Sequence, residues 1–177
     1  MRIITGRYKG RELYMVSGRS TRPTTAFNRE VIFSAYQDFA GKRVLDLFAG
    51  TGSFGLESLS RGALWVDFVE FASPAIAVLL KNINKLGCSE DCHIYRKKVQ
   101  SFLSDEHEPY DIIFLDPPYD KDLVNPTLEL ICERMLLAPE GVIIVEHSPK
   151  EPLEPQFNEL VFKHKSGKTA CFSWLTL

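Results

Sequence analysis

The sequence predicts an α/β domain built on a seven-stranded, mostly parallel sheet with a C-terminal antiparallel hairpin, preceded by a small N-terminal β-hairpin arm. Three observations predict it. From Arg43 onward, short apolar runs alternate with segments of helical period. The first run leads straight into a glycine-rich turn. The tail then drops the alternation for two β-rich runs around Ser166-Gly167. Strands separated by helices of this length pair in parallel through right-handed crossovers.

The arm, residues 1–25, holds Ile3, Ile4, Tyr8, Leu13 and Tyr14 with Gly6 and Gly10 between them, a pattern of short strands and a turn. Arg22-Pro23-Thr24-Thr25 reads as an extended segment ending in a helix cap. The main domain, residues 26–177, opens with Val31, Ile32, Ala35, Tyr36 and Phe39 at helical spacing, and Gly41 stops that helix. Val44 to Phe48 is the first strand, and a helix follows from about Phe54 to Ser60. Trp65 to Val69 is the second strand; Pro74 then opens a helix that Gly87 ends. Cys92 to Arg96 is the third strand, with a short helix near Val99 to Leu103. Asp111 to Leu115 is the fourth, a helix from about Asn125 to Leu136 follows, and Val142 to Val145 is the fifth. Glu159 to His164 and Thr169 to Leu175 form the closing hairpin. Pro149, Pro152 and Pro155 mark a loop inside the domain.

Composition bounds the function. The 177 residues suffice for one domain whose core needs no disulfide or metal. No apolar run approaches the roughly 18 residues of a membrane span, and no apolar stretch follows the basic N-terminus as in a secretory signal. A cytoplasmic location is expected. Cys88, Cys92, Cys132 and Cys171 form no C-x-x-C pair and are expected as reduced thiols. Cys88, Cys92 and His93 lie close in sequence but fall short of a four-ligand zinc set, so no metal is expected. The net charge of −2 hides an asymmetry: residues 1–29 carry seven basic residues against Glu12, a net +6, leaving −8 for the remainder. Arg2, Arg7, Lys9, Arg11, Arg22 and Arg29 are therefore candidate contacts to a polyanion.

Two constellations carry chemistry. Gly50-Thr51-Gly52-Ser53-Phe54-Gly55 is a G-x-G-x-x-G between a strand and a helix, and Glu70 ends the next strand. A nicotinamide dinucleotide site has the same layout. Asp46, four residues before Gly50, argues for a different cofactor, because a carboxylate facing the crevice repels a pyrophosphate. S-adenosylmethionine carries an ammonium and a sulfonium and no phosphate, so an acidic crevice suits it. Asp46, Phe48, Gly50, Gly52 and Glu70 are the candidate cofactor residues, with Glu70 placed to take both ribose hydroxyls. The second constellation is Asp116-Pro117-Pro118-Tyr119 at the carboxyl end of the fourth strand, where open α/β sheets bind ligands. An aromatic amine is a poor nucleophile because its lone pair is delocalised. Asp116 and the Pro117 carbonyl would accept both N–H groups and aim the lone pair at a methyl group. Tyr119 would stack on a base held out of its helix.

At these residues the chain resembles the bacterial small-subunit ribosomal RNA guanine-N2 methyltransferases of the RsmD type, over nearly its whole length. Arg2-Ile3-Ile4-Thr5-Gly6 with Lys9-Gly10-Arg11 is similar to the family's opening hairpin, and Arg22-Pro23-Thr24 with Arg29-Glu30 and Phe33 to its next signature. Leu45 to Gly52, Leu56 to Ala63 and Asp116 to Tyr119 match closely. The resemblance implies a class I, Rossmann-like methyltransferase fold, S-adenosylmethionine as donor, and a guanine of small-subunit rRNA on an assembling particle. It carries ribose binding onto Glu70, catalysis onto Asp116 and stacking onto Tyr119. Ala26-Phe27 stands where the family usually has Asp-Arg, and Lys98 precedes Val99 where an acidic or amide residue often faces the adenine. Val99 is thus expected to contribute backbone and packing. The tetrapeptide chemistry would equally serve adenine N6 in DNA or RNA, or a glutamine amide in a protein. A nicotinamide oxidoreductase and a non-catalytic RNA-binding assembly factor are the more distant alternatives.

Overall fold

A computed structural model describes residues 1–16 and 26–177. Seven strands form one sheet: β1 (Arg43–Leu47), β2 (Trp65–Val69), β3 (Cys92–Tyr95), β4 (Tyr110–Leu115), β5 (Leu137–His147), β6 (Val161–Ser166) and β7 (Cys171–Leu175). Their order is β3-β2-β1-β4-β5-β7-β6. The first five strands are parallel, and β7 runs antiparallel between β5 and β6. This is the expected seven-stranded sheet with its closing hairpin.

Helices cover both faces: α1 (Ala26–Ala35), α2 (Ser53–Ser60), α3 (Ser73–Leu86), α4 (Val99–Leu103), α5 (Val124–Glu133) and α6 (Pro155–Asn158). The period of two along each strand sorts the core into two layers. Val44, Ile112, Phe114, Val142 and Ile144 join Phe33, Phe54, Phe68 and Trp174 on one face. Leu45, Leu47, Ile113, Leu115, Ile143 and Val145 join Phe102 and Leu128 on the other. Asp46 and Glu146 share the first layer's parity, so both point toward the side of α1 and α2.

Several boundaries differ from the sequence reading: α5 ends at Glu133 ahead of Leu136, β6 spans Val161–Ser166 in place of Glu159 to His164, and β7 starts at Cys171 in place of Thr169. The first helix ends at Ala35, where the Lys163 ammonium takes the Ala35 carbonyl at 3.0 Å, and Phe39 reaches the core from the following turn instead. Strand β5 begins five residues before its apolar run, because Leu137 pairs with Tyr110 ahead of a bulge. A single helical turn, α6, lies within the proline-marked loop.

The arm is docked onto the body. Ile3 and Leu13 are buried in the same cluster as α2, and Arg2 and Glu12 form an antiparallel bridge. The buried carboxylate of Glu57 on α2 holds the arm by accepting the N–H of Ile4 at 2.7 Å and of Thr5 at 3.1 Å. Gly6, at φ +83°, has no room for a side chain, because a Cβ there would run into the Ser60 carbonyl. The arm's turn therefore sits against the C-terminal end of α2, beside the N-terminal ends of the strands.

Candidate active site

Parallel register brings three chain segments level at one edge of the sheet. Leu47 pairs with Val69 on one side and with Leu115 on the other. Phe48, Glu70 and Asp116, the residues that follow, therefore stand side by side, with adjacent strands about 4.8 Å apart. The candidate cofactor crevice and the tetrapeptide are neighbours at the carboxyl end of the sheet.

The turn after β1 is tightly wound: Phe48, Gly50 and Gly52 have φ of 62°, 57° and 81°. A Cβ on Gly52 would strike Leu79, so that glycine serves packing against α3. Gly55 likewise lets α2 press onto Phe68 and Val66. A Cβ on Gly50 would meet nothing closer than the Phe48 carbonyl at 4.0 Å, so its bare backbone faces open space. Val99 is buried at the start of α4, with Lys98 at the cap position.

Asp46 lies beneath the N-terminus of α2, and its Oδ2 accepts the Gly55 N–H at 3.0 Å. It is 2% exposed, and burial pushes its carboxyl up to about 7; the Gly55 bond opposes this and the nearby Glu70 charge adds to it. Glu70 accepts three backbone N–H groups: Gly50 on Oε2 at 2.9 Å, and Phe71 and Ala72 on Oε1 at 2.7 Å each. A carboxylate offers about four acceptor directions, so about one stays open for a ligand hydroxyl. Taking both ribose hydroxyls requires Glu70 to release one of these N–H groups.

At the end of β4, Pro117 is buried and Pro118 exposed. Tyr119 donates its hydroxyl to Glu146 Oε1 at 2.9 Å, and its ring packs against the first core layer. Asn28 of α1 donates to the same oxygen at 3.2 Å. Glu151 accepts the backbone N–H groups of Asp120, Lys121 and Asp122 at 2.9, 2.9 and 2.7 Å. Two glutamates from β5 and the turn after it thus fix both the aromatic ring and the loop that follows it. Neither was found from the sequence. The one available signal was Glu146, an acidic residue closing an otherwise apolar strand.

The candidate polyanion contacts scatter. Arg29 is 2% exposed; its guanidinium bonds Glu57 at 2.8 Å and the Arg2 carbonyl at 3.0 Å, which places it in the interior, away from any nucleic acid. Burial lowers its pKa, and Glu57 opposes that shift. Arg7 pairs with Asp91, just before β3, and Arg2 pairs with Glu12 at 3.0 Å. Lys9 and Arg11 are exposed. Arg7 and Lys9 belong to the arm's turn, at the opposite end of the sheet from Asp116, roughly 15 Å away at about 3.3 Å per strand residue. Arg22 lies outside the described residues. Among the described residues no helix is long and apolar enough to cross a membrane.

A family model described as conserved hypothetical protein 95 matches residues 1–174. YlbH of Bacillus subtilis is 38% identical over 169 residues, covering 93% of this chain and 92% of that protein. Ribosomal RNA small subunit methyltransferase D of Haemophilus influenzae is 34% identical over 170 residues, covering 94% and 88%. The solved structure of yhhF from Escherichia coli matches with a TM-score of 0.86 at 30% identity, covering 98% of this chain and 96% of that one.

Proposed function

Because the chain belongs to the conserved hypothetical protein 95 family, we propose that it methylates small-subunit ribosomal RNA, with S-adenosylmethionine as donor and the exocyclic N2 of a guanine as acceptor. The observation that carries this reading is the level placement of Glu70, Phe48 and Asp116, which sets an acidic crevice beside the Asp116-Pro117-Pro118-Tyr119 loop. An rRNA substrate places the protein in the cytoplasm.

The crevice fits the donor. Gly50 leaves its backbone open to a ligand. The charge acting on Asp46 is a second carboxylate, Glu70. Such a donor set favours a cationic ligand without phosphates and disfavours a dinucleotide. Asp46, Phe48, Gly50 and Gly52 would line the methionine part, Glu70 would hold the ribose, and Val99 would wall the adenine. S-adenosylmethionine supplies a methyl group activated on a sulfonium.

The remaining chemistry belongs to the chain. Asp116 and the Pro117 carbonyl accept the two N–H bonds of the target amine and draw its nitrogen toward tetrahedral geometry. Pro117 has no N–H to compete for those acceptors. Tyr119, held at its hydroxyl by Glu146, presents its ring to the base. Once the amine nitrogen has taken up the methyl group, its surplus proton would pass to Asp116 or to water. Orientation of this kind contributes about 7–11 kcal/mol.

The test supplies methyl-labelled S-adenosylmethionine to unmethylated small subunits, free rRNA and duplex DNA in parallel, followed by nucleoside analysis. Labelled N2-methylguanosine from the ribosomal substrate is expected. Label in N6-methyladenine would overturn the choice of base, and label in protein would overturn the choice of RNA.

A further inference from the structure

The antiparallel return of the tail carries the tip of its hairpin to the catalytic end of the sheet. Glu146 of β5 pairs with Phe172 of β7, and Phe172 pairs with Lys165 of β6. Lys165 is therefore in line with the carboxylate that holds Tyr119, two strand spacings or about 10 Å away along the sheet. Lys165 and Phe172 project to the side of α1, as Trp174 and Glu146 do.

Between α1 and this tip lies a groove of about 610 Å³. Val31, Ala170 and Phe172 supply its apolar floor, and Lys165 and Lys168 stand on its rim. Asn28, at one end, donates to the Glu146 oxygen that also takes the Tyr119 hydroxyl. The Glu146 carboxylate thus links the groove's lining to the candidate catalytic loop. Both lysines are exposed, and neither forms an ion pair among the described residues. Two cations of the basic N-terminal stretch are engaged elsewhere: Arg29 of α1 is buried on Glu57, and Arg7 of the arm is paired with Asp91 at the far end of the sheet.

We propose that this groove, rimmed by Lys165 and Lys168, is an RNA subsite that grips the sugar–phosphate backbone flanking the target base. The inference rests on the rRNA methyltransferase reading. A polyanionic strand suits the site, because a base drawn onto Tyr119 must bring its flanking phosphates past the adjacent wall. That wall carries unneutralised cations over an apolar floor. Phosphate contacts of this kind set register and carry no sequence information.

The test is the double reversal Lys165→Glu/Lys168→Glu in the full chain. A control, Lys42→Glu/Arg134→Glu, makes the same change in net charge at the other end of the sheet. Binding of a fluorescein-labelled single-stranded RNA is measured across a salt series, alongside methyl transfer to small-subunit rRNA. Losing two phosphate contacts should lower the slope of log affinity against log salt by about 1.4. Affinity should fall at least tenfold and KM for rRNA should rise, with kcat and the cofactor Kd unchanged and the control near wild type. Unchanged RNA affinity and slope in the double reversal would overturn the subsite, as would an equal effect of the control. A wild-type protein that binds RNA through these lysines without methylating it would uphold the subsite and overturn the activity.

Discussion

Asp46 makes cofactor binding depend on pH in a direction fixed by its surroundings. Burial pushes its carboxyl from 3.8 up to about 7, so near neutrality the empty site is divided between neutral and ionised forms. An ammonium or sulfonium in the crevice favours the ionised form. If that form binds, the apparent Kd follows the ionised fraction, one decade per pH unit below the pKa. Affinity should therefore be about tenfold weaker at pH 6 than at pH 8, or about 1.4 kcal/mol, and level above pH 8. The same shift acts on stability with the opposite tendency. The folded pKa lies above the unfolded one, so no penalty exists below about pH 4. Stability falls as pH rises from there to about 7, by on the order of 4 kcal/mol, and is flat beyond. Asp46→Asn keeps an acceptor for the Gly55 N–H and removes the titration. It should be more stable than wild type at pH 8, yet bind the cofactor more weakly there and with no pH slope. Calorimetric titration at pH 6, 7 and 8, in buffers of differing ionisation enthalpy, reads the affinity and the released proton together. A wild-type Kd that is flat over this range, or an Asp46→Asn variant that keeps the slope, would refute the reasoning.

Other perturbations separate the remaining roles. Asp116→Asn should cut kcat by about a hundredfold or more while the cofactor Kd, by the same titration, stays within a few-fold; loss of both would move Asp116 out of the catalytic role. Glu70→Gln removes the charge that three backbone N–H groups share, and should raise the cofactor Kd by about tenfold or more. An unchanged Kd would take Glu70 away from the ribose. Glu57→Gln leaves Arg29 buried without its counter-charge and should cost about 3–5 kcal/mol in urea unfolding, against a refuting value below 1 kcal/mol.

What was legible from the sequence was what repeats locally. Short apolar runs between helical segments located β1, β2 and β4 almost to the residue, and Gly87 ends α3 as expected, in the left-handed conformation. The glycine-rich turn and the tetrapeptide could be located because each is a contiguous motif at a strand end. What stayed hidden was assembled from distant residues. Arg29 reads as one more cation in a basic stretch until α2 brings Glu57 beside it, 28 residues on. Glu146 and Glu151 grip a loop about thirty residues upstream, a pairing that only the β4–β5 register creates. The hairpin tip could be located in sequence, but its approach to the candidate catalytic edge follows from β7 running against β5.

The clasp of Glu57 on the first residues has a consequence for biosynthesis. Ile4 leaves the ribosome 53 residues ahead of the carboxylate that receives its N–H. At about 5–20 residues per second, that interval is roughly 3–10 s. Throughout it, Ile3 and Leu13 have no core to enter, and a stretch of net positive charge is free beside a polyanionic particle. Until α2 has emerged, the arm has neither Glu57 nor the core layer to dock on. A Glu57 variant would prolong that exposed period at every round of synthesis, so its losses should be visible in the yield of soluble chain before they are visible in turnover.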